Sequence, residues 1–408
     1  MNTKAQVLVV GAGAAGMSAA IAASRAGAEV KLVERMPGPG GTVANALIHT
    51  LGGIYDANKQ LLNGGLPAEL ADRLFRASAL TRVRRIGKLQ CLNLCPQVYR
   101  QVVEEWLAEE TRIEHIYNAS ITQVKVQGEY VAVCKVKWGD TVVTFSPTAV
   151  IDTTGTAEVV RLIGSQYVHD DDQRAAGGLM FRLRNVKPNT LAFPKSITLV
   201  EKLREAARQG RLPASCEHAW LDQGAFDDEI FVKLFVPLPK DWRNSDQLSL
   251  LTRQSLKVQS QVLELLRSWP EFAESQLTET GALGIRDGGR IRGNYYLTEE
   301  DVRACRRFDD AACRCCWPIE YWHPTQGLQL EYLPPGSSYE IPLRSLKVSG
   351  LENVWSAGKC LSADHKAQSS ARVVGQCWAM GEAVGKAAST QIVSNALTHD
   401  FAPNDPSS

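Results

Sequence analysis

A chain of 408 residues is too long for one ordinary core and implies about two domains, and 44% hydrophobic with 22% charged residues excludes a disordered chain. Forty-five basic against 44 acidic residues leave a formal charge of +1, with no long basic run, which argues against nucleic acid or anionic lipid as partners. The start, MNTKAQVLVV, is too short an apolar run for a secretory segment and no long apolar span follows, so the expected setting is the cytoplasm, with no membrane and a small organic molecule as partner.

The first elements are a strand, Gln6 to Val10, running into Gly11-x-Gly13-x-x-Gly16, then an alanine-rich helix ending at Gly27 and a second strand that delivers Glu34. Gly11 allows a tight turn, Gly13 lets the backbone approach a pyrophosphate, and Gly16 permits close helix–strand packing, which places phosphates on a positive helix end. Glu34 falls 18 residues after Gly16, where a carboxylate can hold an adenosine ribose. After Glu34 and Arg35 the chain does not continue as a compact βαβ unit. It enters RMPGPGGTVANALIHTLGG, whose Gly40-Gly41 pair, followed by Thr42, lets backbone lie against a large cofactor. That favours FAD over NAD.

Further on, short β-rich runs that include Val124 break at Gly128 and Gly139 and lead to a strand ending at Asp152-Thr153-Thr154-Gly155. Beyond that strand, SITLVEKLREAARQGRLP reads as an amphipathic helix stopped at Gly210, and DQLSLLTRQSLKVQSQVLELLRSWPEF as a longer one ending before Pro270. LTEEDV offers Thr298 as N-cap with Asp301 three residues on. The chain closes with another apolar strand, ENVWSAGK, and a helix with Ser369 or Ser370 as expected N-cap and Gly375, Gly381 and Gly385 on a smooth side. That helix either packs on small contacts or turns its backbone N–H groups toward a flavin's pyrimidine edge. The ten cysteines lack paired metal-ligand spacing even at Cys313, Cys315 and Cys316, so they read as structural thiols and no metal is expected.

These blocks resemble the FAD-dependent oxidoreductases with a glutathione-reductase-like FAD domain, similar in that domain to thiazole-biosynthesis and heterodisulfide-reductase flavoproteins. The resemblance rests on GAGAAGMSAAIAASRAGAEVKLVER with its following GGT, on VIDTTGTAEVV, on RIRGNYYLTEEDV and on YEIPLRSL leading into NVWSAGKCLSADHKAQSSARVVGQC. Gly155-Thr156-Ala157-Glu158 and Gly358-Lys359-Cys360 depart from the more usual Gly-Asp-Ala-Asp and Gly-Arg-Cys. The implied fold is α/β, a Rossmann-like FAD/NAD(P)-binding domain of the glutathione-reductase type with an inserted α+β substrate domain. The expected division is 1–165 and 345–395 for the FAD domain, 166–344 for the substrate domain, and 396–408 as a flexible tail. The cofactor-binding set is Gly11, Gly13, Ala14, Ala15, Gly16, Glu34, Arg35, Gly40, Gly41, Thr42, Val124, Thr154, Gly155, Gly358, Val373, Val374 and Gly375.

A flavin carries hydride or electron chemistry, leaving the protein to place the reacting atom near N5. His49, just after the second glycine turn, and His365 and Arg372, flanking the start of the terminal helix, are the candidate catalytic residues, with Arg290 and Tyr295 on the substrate side. A guanidinium at Arg372 would hold a substrate carboxylate or balance reduced flavin. The expected activity is oxidation or reduction of a small organic metabolite by hydride transfer. Oxygen insertion through a flavin C4a-hydroperoxide is the alternative, and a nonenzymatic flavoprotein scaffold or RNA-modification component the outsider. Transient NADPH or oxygen as redox partner and a homo-oligomer stay open.

Overall fold

The computed structural model describes residues 2–169 and 174–400. The opening apolar run forms the strand Asn2–Val10, flanked on one side by Val30–Val33 and then Ile113–Ile116, and on the other by Thr141–Asp152, all parallel. Register sets Val10 opposite both Val33 and Asp152, and Val33 opposite Ile116. The late strand Val354–Ser356 joins the far edge with Ser356 opposite Asp152. Five parallel strands from both ends of the chain therefore finish level, and ligands of open α/β sheets bind beyond such carboxyl ends.

Thr141–Asp152 has 12 residues and serves two partners. Its first part pairs antiparallel with Tyr130–Trp138, which pairs in turn with Ala119–Gln127, and its last three residues pair with Val354–Ser356. The hairpins turn at Gly128 and Gly139, where the sequence places its breaks.

The helix Ala14–Arg25 is almost all small residues because another helix lies on it. A Cβ added to Gly381 would stand 2.1 Å from the Ala15 carbonyl oxygen, and one on Gly385 2.4 Å from that of Ala19. The smooth side of the terminal helix is thus spent on this contact, which Ser18 Oγ ties by donating to the Trp378 carbonyl at 2.6 Å. Below it Trp378 stacks on Trp106 at 5.2 Å and donates to the Tyr99 hydroxyl at 3.1 Å.

The C-terminal segment is two helices, not one. His365–Ala371 is capped by Asp364, which accepts from the Ala367 amide at 2.7 Å, and Val374–Asp400 follows. Ser369 and Ser370, expected as caps, lie inside the first helix, where their hydroxyls donate to the Lys366 and Trp317 carbonyls. The helix breaks at Arg372–Val373 because the Gly375 amide donates across to the Gly52 carbonyl at 2.9 Å. Residues 396–400, expected in a tail, continue the second helix, and 401–408 lie outside the described residues.

A second, antiparallel sheet runs Trp220–Gln223, Ile230–Val236, Gly177–Arg184, Gln276–Thr280. Leu199 and Leu203 of the helix Lys195–Arg208, with Val262 and Leu266 of Ser245–Arg267, bury its Phe181 and Val232. Both helices stop where the sequence indicates, before Gly210 and Pro270. The short helix Glu299–Arg303 has both bonds of the capping box formed by Thr298 and Asp301. No described helix is long and apolar enough to cross a membrane.

Candidate active site

At the level strand ends two glycine turns meet backbone to backbone. A Cβ on Gly41, whose φ is +53°, would stand 2.6 Å from Gly13 Cα, while one on Gly13 would have only Gly41 Cα near it, at 3.8 Å. Gly16 lies so close under the first turn that its Cβ would fall 1.7 Å from the Gly11 carbonyl oxygen. Ala14 and Ala15 open the first helix, and Gly41 and Thr42 open the helix Gly41–Asn45, so amide-bearing helix starts flank the cradle. Glu34 sits beside it, its Oε2 accepting from the Ala12 amide at 2.6 Å and its Oε1 from the Met36 amide at 2.9 Å. Each oxygen keeps a lone pair for a further donor. A backbone cradle next to a carboxylate with spare acceptors fits the pyrophosphate and ribose of FAD. Replacing Glu34 with alanine is expected to raise the FAD dissociation constant about tenfold or more with folding retained, measured by titrating apoprotein.

Arg35 is exposed beside this cradle. Val124 is not brought to it: the segment crossing Glu34 is Asn118–Ala119, whose amides donate to the Met36 and Glu34 carbonyls. Val124 lies further along its strand, on the order of 16 Å of extended chain away. Thr154 donates through Oγ1 and its amide to Asp152, and Gly155 packs on Lys359, where a Cβ would stand 2.7 Å from Cε. Gly358 faces Ala15 and Cys377, which joins the last strand to the glycine helix.

Around the break between the two terminal helices, charge is gathered, buried at Asp287 and Arg290 and half-buried at Arg286, Lys359, His365 and Arg372. Arg372 donates from Nη2 to the Glu320 carbonyl at 3.2 Å, and its Nε is buried without a hydrogen-bond partner among the described residues. Burial pushes its pKa down, opposed by Glu320 and Asp287. Val373 and Val374 follow on the same turn, with Gly375 held against Gly53. Gln368 donates to the carbonyls of Arg286 and Lys359 at 3.0 and 3.1 Å, drawing both residues toward the same place.

His365 and Arg290 do come together. His365 Nδ1 is 2.7 Å from Asp287 Oδ2, and its Nε2 is 3.1 Å from Arg290 Nη2. Both ring nitrogens are engaged, which makes His365 a positioning group in this state. Arg290 also donates to the Ala363 carbonyl, clamping the turn that enters the helix. Burial pushes the Asp287 carboxyl up, but the His365 bond and Arg290 outweigh it and hold its pKa below the ordinary range.

His49 and Tyr295 are placed elsewhere. His49 is fully buried and stacked on Phe231 at 3.9 Å, with Nε2 3.4 Å from Asp222 Oδ2. Burial pushes its pKa down, and Asp222 is shared with Arg84 and Lys233. The Tyr295 hydroxyl donates to Asp301 at 3.0 Å and so supports the capping box. The sequence does not mark Arg286, Asp287 and Glu320, whereas Lys359 stands out there as the residue in place of the more usual arginine. The stretch GIRDGGR, with arginine and aspartate beside a glycine pair, is the one local signal for the first two. Among the described residues no group of His, Cys, Asp and Glu is placed to hold a metal ion.

A level edge of parallel strands, a cradle between two glycine turns and a carboxylate at the second strand's end define a Rossmann-like dinucleotide-binding fold of the flavoprotein class. The family model described as FAD dependent oxidoreductase matches residues 6–405, and the chain belongs to that family. It is an FAD-dependent oxidoreductase enzyme. No curated protein matches the sequence. Among solved structures, a geranylgeranyl bacteriochlorophyll reductase-like protein from Thermoplasma acidophilum is 13% identical, covering 99% of this chain and 81% of its own, with a TM-score of 0.49. A PqsL mutant from P. aeruginosa is 13% identical, with coverages of 98% and 89% and a TM-score of 0.45. Quinol fumarate reductase FrdA from E. coli is 11% identical, with coverages of 97% and 71% and a TM-score of 0.44.

Proposed function

We propose that this enzyme oxidises or reduces a small organic metabolite by hydride transfer at flavin N5. The observation that carries the reading is the half-buried guanidinium of Arg372 at the helix break, its Nε buried without a hydrogen-bond partner among the described residues, and its carbonyl accepting from Cys377, which packs on Gly358 where that glycine faces Ala15 of the cradle. Bound FAD supplies the two-electron chemistry. Gly13 and Gly41 admit its pyrophosphate, Glu34 accepts from its ribose, and Thr154, Gly155 and Gly358 line the sheet end beside it. Arg372 supplies fixed positive charge where negative charge develops during turnover, an effect that a dry site magnifies. Asp287, His365 and Arg290 hold the turn from which the Arg372 helix starts.

The test is an anaerobic screen of metabolites against the FAD-loaded enzyme. At least one is expected to bleach the flavin absorbance and to yield a product differing by two hydrogens. A product that gains an oxygen atom once air is admitted identifies oxygen insertion instead, and no bleaching by any metabolite or nicotinamide overturns the reading.

A further inference from the structure

We infer that Arg286, paired with Arg372, forms an anion subsite that selects substrates bearing a carboxylate, an inference that rests on the hydride-transfer reading above. The loop that carries Arg286 crosses from the cofactor end to the second sheet. The Ala282 amide donates to the Asn45 carbonyl at 2.6 Å, just past the second glycine turn, and Gly288 packs on Gly155 and Thr156. Arg286 therefore lies between the dinucleotide cradle and the sheet behind it. Its guanidinium covers Trp322, 4.2 Å from the ring centroid, and donates from Nη1 to the Ala176 and Gly177 carbonyls at 2.6 and 2.5 Å.

Among the described residues, three cations here are held by backbone carbonyls instead of carboxylates: Arg286 as above, Arg372 by Glu320, and Lys359 by Ile285 at 2.7 Å. Carbonyls orient a cation without cancelling its charge. Glu320 lies in range of both guanidiniums, yet its carboxylate accepts from the Trp317 and Trp322 indoles, each at 2.9 Å. Asp287, also in range of Arg372, is committed to His365 and Arg290. Burial first, and the like charge on Arg372 second, push the Arg286 pKa down to about 9, as expected for a cation short of a counter-charge. A planar guanidinium fork matches a carboxylate in two bonds, and the neighbouring indole offers an apolar wall to the rest of an organic acid.

The experiment titrates FAD-loaded protein at fixed ionic strength with acetate, malonate and benzoate, with their neutral amides, and with inorganic phosphate, following the visible flavin spectrum and binding heat. At least one acid is expected to bind tenfold or more tightly than its amide. R286Q should lose about tenfold or more of that affinity with amide binding unchanged, and R286K should keep part of it. Acids no tighter than amides, phosphate tighter than every acid, or full acid affinity in R286Q would each overturn the subsite. Should R286Q not fold, the acid–amide comparison in the native enzyme and in R286K decides. Acid binding without flavin bleaching by any metabolite leaves the subsite standing and removes the hydride reading, whereas bleaching by neutral metabolites alone does the reverse.

Discussion

Changing Arg372 to leucine is expected to leave FAD bound while substrate-dependent flavin reduction slows by about 10² or more. The backbone of Arg372 has its own duties, accepting from the Cys377 thiol and donating from its amide to the Gln368 carbonyl, and these survive the substitution. Among the described residues the side chain makes one hydrogen bond, to a main-chain oxygen, and leucine keeps an apolar stem in the half-buried setting. What leucine removes is the charge. Donors aimed at developing negative charge contribute on the order of 10² to 10³ in rate when the site excludes water, and rates read at saturating substrate separate this from any share of Arg372 in holding a substrate carboxylate. Lysine restores a point charge without the fork and should recover only part of the rate. Stopped-flow reduction under anaerobic conditions, with FAD content measured on the same sample, separates the two effects. Wild-type rates in the leucine variant would make Arg372 a structural residue.

The contrast between that residue and its neighbours shows which parts of the site a sequence reveals. The glycine turns, Glu34 and the Thr298–Asp301 capping box are legible because their chemistry is settled within a few residues: a backbone that must approach closely needs glycine, and a helix start needs an acceptor. The two halves of the cofactor edge are legible for a related reason, since each is an apolar strand stopping at glycine. Arg286 and Asp287 carry no such local mark. Arg286 acquires its meaning from Gln368, 82 residues away, and Asp287 from His365, 78 residues away.

The same distance explains the misplaced helix start. Asp364 accepts not only from Ala367 in its own helix but also from the Glu299 amide at 2.6 Å, and so caps two helices that are far apart in sequence. A reading confined to the terminal segment finds Ser369 and Ser370 instead, because their hydroxyls are the usual capping groups. His49 illustrates the reverse case: its position after a glycine turn suggests the cofactor, but the ring is taken up by Phe231 and Asp222 of the second sheet. RIRGNYYLTEEDV is diagnostic for structural reasons. Arg290 clamps Ala363, Tyr295 supports the capping box, and the Leu297 amide and carbonyl bond the Ser362 carbonyl and the Asp364 amide.

Replacing Gly41 with valine should abolish measurable FAD binding, raising the dissociation constant by more than about 10², while the apoprotein still folds. The backbone there has φ +53°, which a β-branched residue avoids, and its Cβ would stand 2.6 Å from Gly13 Cα, so one of the two turns must move. The easier movement opens the helix Gly41–Asn45, a five-residue element at the surface edge of the cradle, because Gly13 is fixed by the strand and helix it joins. Gly385 makes the opposite control. Its Cβ would stand 2.4 Å from the Ala19 carbonyl oxygen, in the interface between the helices Ala14–Arg25 and Val374–Asp400 and a turn further from the cradle, so valine there should cost about 1–3 kcal/mol or more of stability. Thermal melts and FAD titrations of both apoproteins distinguish the cases. The cradle assignment fails if Gly41→Val binds FAD within threefold of the native protein, for then the approach of the two glycine turns is a matter of packing and the pyrophosphate lies elsewhere.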